Sequence, residues 1–93
     1  MPHMKLGVAM ATIGRQPVNG LRHLPEEGTT GWYVWCGEQF SSAADVFQPV
    51  HIAHLDEILP LIVPYLGLPA GWRFQFALNH EDVWFDAGLL LET

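Results

Sequence analysis

The chain has 93 residues, of which 49% are hydrophobic, with four Trp, five Phe and two Tyr, and it carries ten acids against four bases for a net charge of −6 at pH 7. That length supports one hydrophobic core and not two, because a chain this short buries little more than about 60% of its unfolded surface. The apolar content is far above the range of disordered chains.

The charges are segregated. Lys5, Arg15 and Arg22 precede the first acid, Glu26, and from there Arg73 alone offsets all ten acids. Such a field repels phosphate backbones, whose binders need Lys and Arg to displace counterions, so nucleic acid is excluded as a partner and a basic protein is favoured. No apolar run approaches a membrane span. The single Cys36 cannot form an internal disulfide, which points to a reducing, cytoplasmic setting.

In chain order, residues 1–4 (Met-Pro-His-Met) read as an unstructured or vector-derived end. Leu6 to Ile13 is apolar and rich in small residues. It mimics a secretory signal, but it is too short and its cleavage-like site comes too early, so a buried strand is the expectation. Residues 14–31 hold Pro17, Asn19-Gly20, Pro25 and several glycines, which predicts a long loop. Trp32 to Cys36 gives the strongest strand signal, with Trp32 and Val34 on one face and Tyr33 and Trp35 on the other; apolar on both faces, it belongs at the centre of a sheet. Ser42 and Asp45 resemble a capping box for one short turn.

His51 to Leu66 has helical periodicity, with Ile52, Leu55, Leu59, Ile62 and Leu66 on one stripe. Pro60 and Pro64 imply either a kinked helix or one that ends near Leu59 and is followed by another opening at Pro60, with Gly67 as the stop. Trp72 to Leu78 alternates as a half-buried strand, Asn79-His80 supplies a turn, and Glu81 to Asp86 returns with Val83 and Phe85 on one face and Asp82, Trp84 and Asp86 on the other. The fold class expected is α+β: one domain over residues 1–93, with a small, mostly antiparallel sheet and one or two helices packed on one face.

Catalytic signatures are weak. His51 and His54, three apart, could share a metal with Asp56, Glu57 or His80, yet no established ligand spacing accompanies them, and polar surface or packing explains them as well. Cys36 could act as a thiol nucleophile, but it ends an apolar strand, where cysteine behaves as a small hydrophobe. Ser41 and Ser42 lack a nucleophile-elbow context, and the glycines form no phosphate loop. The chain is therefore read as a non-enzyme without a cofactor. The alternative is a small metal-dependent or thiol enzyme built on His51, His54, His80 and Cys36. Glu81, Asp82 and Asp86 around Trp84 admit three readings: a solvated edge that discourages aggregation, an acid-base pair, or an aromatic anchor flanked by acids for a basic partner.

Four segments, GWYVWCGE (31–38), FQPVHIAHL (47–55), PYLGLPAGWRF (64–74) and EDVWFD (81–86), together resemble a family of small bacterial immunity proteins of polymorphic toxin systems. The resemblance spans residues 30–90, and residues 1–29 carry no comparably specific pattern. It implies a protein that binds a cognate toxin stoichiometrically, without catalysis. It does not identify contact residues, so charge and aromatic exposure nominate Trp84, Asp82, Asp86 and Glu81, with Glu38 as an outlier. A third possibility is an accessory domain of a larger complex.

Overall fold

The computed structural model describes residues 4–26, 28–38 and 46–91. Among these residues six strands form one mixed sheet in the order β4-β1-β3-β2-β5-β6: β1 Lys5–Val8, β2 Val18–Arg22, β3 Thr29–Cys36, β4 Gln48–His51, β5 Trp72–Ala77 and β6 His80–Phe85. β1 and β3 run parallel and every other neighbouring pair is antiparallel. Helix is scarce. One α-helical turn, α1 (Leu55–Ile58), follows a 3-10 turn at Ile52–His54, and further 3-10 turns lie at Met10–Thr12, Pro60–Tyr65 and Ala87–Leu90.

The class is therefore α+β with sheet dominant, and the helical segment expected at 51–66 is broken before Pro60, while Pro64 is accommodated inside the 3-10 turn that follows. α1 stops at Ile58, Leu59 leaves the helical conformation, and Pro60 opens the next turn, where its missing N–H costs nothing. The stripe still does its work. Leu55 and Ile62 are fully buried, and Ile52, Leu59 and Leu66 pack around them against Leu6, Val8, Trp32, Val34, Val50 and Phe74 on one face of the sheet. The opposite face carries a smaller cluster of Ala9, Leu21 and Trp35, partly covered by Val46, Phe47 and Leu89.

β3 is interior, between β1 and β2, as its two apolar faces predict. The long loop at 14–31 is not what forms: Val18–Arg22 is a strand between β3 and β5. Asn19-Gly20 reads as a turn by composition, but packing overrides it. Gly20 faces the ring of Phe74 so closely that a Cβ would lie 2.2 Å from Phe74 Cε2. Asn19 is buried, and its side-chain amide donates to the carbonyls of Gly37 (2.9 Å), Pro17 (3.2 Å) and Trp35 (3.4 Å), while its Oδ1 accepts from Gln75 Nε2 (2.8 Å). Asn19→Ala is expected to cost about 2 kcal/mol in chemical denaturation by orphaning these partners; a loss below about 0.5 kcal/mol would mean that water replaces the amide.

Gly31 makes a bulge possible. The β1–β3 register shifts between Lys5↔Thr29 and Gly7↔Tyr33, and Gly31 takes φ +85° there. Arg22 fastens the irregular segment, donating from Nε to Thr30 O (2.8 Å) and from Nη1 to Leu68 O (2.7 Å) while its guanidinium lies 5.7 Å from the Trp32 ring centroid. His51, expected to begin the helical segment, instead ends β4. β4 forms despite Pro49, with β1 as its partner, and the β5–β6 turn is Leu78-Asn79, one residue earlier than the composition suggests. Ser42 and Asp45 lie outside the described residues.

Candidate functional site

The face of the sheet opposite α1 and the 3-10 turn Pro60–Tyr65 presents two rows of side chains. The first runs Tyr33, Leu21, Arg73, Trp84 across β3, β2, β5 and β6; the second runs Trp35, Asn19, Gln75, Asp82. Each row is a rung of paired residues, so its members are neighbours by register. Tyr33 meets His23 and Phe47 edge-on, with ring centroids 5.6 and 5.3 Å away. At the other end of its row, Arg73 Cζ lies 5.4 Å from the Trp84 ring centroid.

That arginine organises the corner. Its Nη1 is 3.1 Å from Asp86 Oδ2, and Asp86 Oδ1 in turn accepts from the Gly88 backbone, capping the 3-10 turn Ala87–Leu90. The guanidinium thus holds Trp84 by one ring face and Asp86 by one carboxylate oxygen. Asp82 is freer: its side chain is 65% exposed, with His80 Nε2 at 3.8 Å. Trp84 remains 37% exposed beside it.

Glu81 is on the other face of β6, where the Tyr65 hydroxyl donates to its carboxylate. This bond, with a contribution from burial, pushes the Tyr65 phenol up to about 12. Glu38 is exposed just after β3. It is five residues along and three strands across from the Trp84 position, roughly 20 Å at sheet spacings. The structure therefore brings together Trp84, Asp82 and Asp86, sets Glu81 on the opposite face of the same strand, and leaves Glu38 apart. Period-2 reasoning misses the roles of Arg73, Gln75 and Tyr33, which depend on cross-strand register.

The alternative catalytic set is scattered. His51 ends β4 and His80 begins β6, at opposite edges of the six-stranded sheet, about 24 Å apart at normal strand spacing. His51 and His54 are neighbours, with ring centroids 5.9 Å apart, but among the described residues no three His, Cys, Asp or Glu side chains converge as a metal site would need. Cys36 is buried at the end of β3, where desolvation pushes its thiol up despite hydrogen bonds from Gly14 and Thr12, and a protonated thiol is a poor nucleophile. No helix among the described residues is long and apolar enough to cross a membrane.

Comparison with curated proteins and with solved structures finds no match. The family model for the Imm33-like domain matches residues 1–86, from the N-terminus through the end of the β5–β6 hairpin, and so reaches beyond the segments that carry the sequence resemblance. The chain belongs to the Imm33-like domain family, a family of immunity proteins.

Proposed function

We propose that this protein is the cytoplasmic antidote to a cognate toxin with a basic surface, and that it binds the toxin non-catalytically through the open sheet face at the β5–β6 hairpin. The observation that carries the reading is the Trp84 corner: an exposed indole held in place by Arg73, with the exposed carboxylate of Asp82 on the same strand face. Interfaces concentrate their energy in aromatic anchors of this kind, while exposed charges steer the encounter. The net charge of −6 adds to that steering toward a basic partner.

The division of labour among the acids follows from their bonding. Asp86 is committed to Arg73 and the Gly88 amide, so its replacement would disturb the hairpin itself, whereas Asp82 is available to a partner. The test is binding and growth rescue with toxins encoded beside the gene. Trp84→Ala is expected to weaken toxin binding by about 2 kcal/mol, roughly 30-fold, and Asp82→Lys to slow association at low salt while sparing the fold. Unchanged affinity for both variants would place the interface elsewhere on the molecule.

A further inference from the structure

The two edges of the sheet are unlike. β4 is four residues long and contains Pro49, which removes a donor and blunts that edge against further pairing. β6 is six residues long, pairs among the described residues with β5 alone in unbroken register, contains neither proline nor lysine, and is exposed throughout. Val83, Trp84 and Phe85 are 39%, 37% and 49% exposed along it. A long, regular, partly apolar edge is what sheets ordinarily avoid leaving open.

The direction of its free hydrogen-bonding groups follows from the register. Asp86 N donates to Gly71 O, and Gly71 N donates to Arg22 O, which fixes the alternation on both sides of β5. His80, Asp82 and Trp84 therefore turn their backbone groups inward to β5, and Glu81, Val83 and Phe85 turn theirs outward. An incoming strand would find those three N–H and C=O pairs in line. Its side chains would lie beside Glu81, Val83 and Phe85 on the helical face and beside Asp82 and Trp84 on the open face, so apolar and basic residues in alternation match both sides.

From this we infer that β6 is a docking edge, which receives an extended, basic segment of the partner protein as a seventh strand. The inference rests on the immunity reading for the identity of that partner and adds the mode of binding. Charge selects the occupant. Glu81 and Asp82 flank the edge, one on each sheet face, the nearby Arg73 is neutralised by Asp86, and the net charge of −6 disfavours a second copy of this chain relative to a basic segment.

The test uses the full chain, isotopically labelled, with a capped peptide of alternating lysine and valine and its glutamate-valine counterpart as the control. Amide exchange at Glu81, Val83 and Phe85 is expected to slow at least about tenfold with the lysine peptide, while the inward amides of Asp82 and Trp84 change little. Val83→Pro removes an outward N–H without touching the β5 ladder, and it should weaken the lysine peptide by about tenfold or more, the loss of one or two backbone hydrogen bonds. Val83→Thr keeps the N–H and the branched shape and should bind as the parent does, which controls for the side-chain change, and protection of the parent's outward amides reads the backbone pairing even if the proline variant folds poorly. Binding without protection of the outward amides, equal binding of both peptides, or concentration-dependent protection without peptide would overturn the inference. A toxin from which the parent and Val83→Pro rescue growth equally would also overturn it and leave the immunity reading intact; peptide docking on β6 in a protein that rescues from no toxin would support the edge and contradict that reading.

Discussion

Replacing Gly31 with alanine is expected to destabilise the protein by about 3 kcal/mol or more, a fall in Tm of about 12 to 24 °C for a chain of this size. Two costs add. Gly31 has φ +85°, which an L side chain adopts only with strain, and a Cβ there would stand 2.2 Å from the backbone oxygen of His23. The oxygen cannot swing away, because His23 N and Gly31 O are themselves hydrogen-bonded at 2.9 Å across the β2–β3 ladder. The bulge it serves is also where Thr30 Oγ1 donates to Lys5 O and accepts from Trp32 N, so a shift of the chain would loosen β1 as well. Thermal and urea denaturation measure the cost directly. A loss under about 1 kcal/mol would show that the left-handed geometry is not required.

Trp32→Ala should be at least as damaging, costing about 3 to 5 kcal/mol. Trp32 is 1% exposed at the centre of the larger core, tilted against Phe74 with centroids 5.5 Å apart. Its Nε1 donates to Leu66 O at 3.2 Å, which ties the sheet to the end of the 3-10 turn Pro60–Tyr65. Truncation leaves a cavity, an unpaired carbonyl and an Arg22 guanidinium without its ring. Trp32→Phe separates the causes: it fills most of the space and loses the donor, so a loss of about 1 to 3 kcal/mol is expected. If alanine and phenylalanine cost the same, the hydrogen bond to Leu66 outweighs the packing.

These two residues explain the local logic of the Gly-Trp-Tyr run. Gly31 allows the bulge, Trp32 fills the core, and Tyr33 turns to the opposite face, where it meets His23 and Phe47. That alternation was readable in advance, because a strand apolar on both faces has to be interior. The break at Pro60 was readable for the same kind of reason: a proline without an N–H suits the first turn of a helix and not the interior of an α-helix, whereas the 3-10 turn Pro60–Tyr65 accommodates Pro64 inside it.

β2 was hidden because Asn19 and Gly20 owe their place to tertiary partners. The asparagine satisfies carbonyls at the end of β3 and just beyond it, and the glycine yields space to Phe74 of β5, neither of which is a local signal. β4 was hidden by Pro49, which an edge strand tolerates. At the candidate site, the faces of Val83 and Phe85 against Asp82 and Trp84 followed from period 2, but the neighbours did not. Placing the turn at Asn79-His80 slides the β5–β6 register by two and sets Arg73 opposite Asp86; the actual turn at Leu78-Asn79 sets it opposite Trp84. The stacking of Arg73 on Trp84 depends on that one-residue difference.

Membership in the Imm33-like family makes a protein toxin the general class of partner, and the Trp84 corner is where we expect this chain to meet its own. The most direct measurement is the affinity of the purified protein for the product of each neighbouring toxin gene, by calorimetry, with growth rescue scored in the same pairs and Trp84→Ala beside the parent. Tight 1:1 binding to one of them, rescue by the parent, and a roughly 30-fold weaker complex with the variant are expected. Binding and rescue that are indifferent to Trp84→Ala, or no binding to any of these toxins, would contradict this reading.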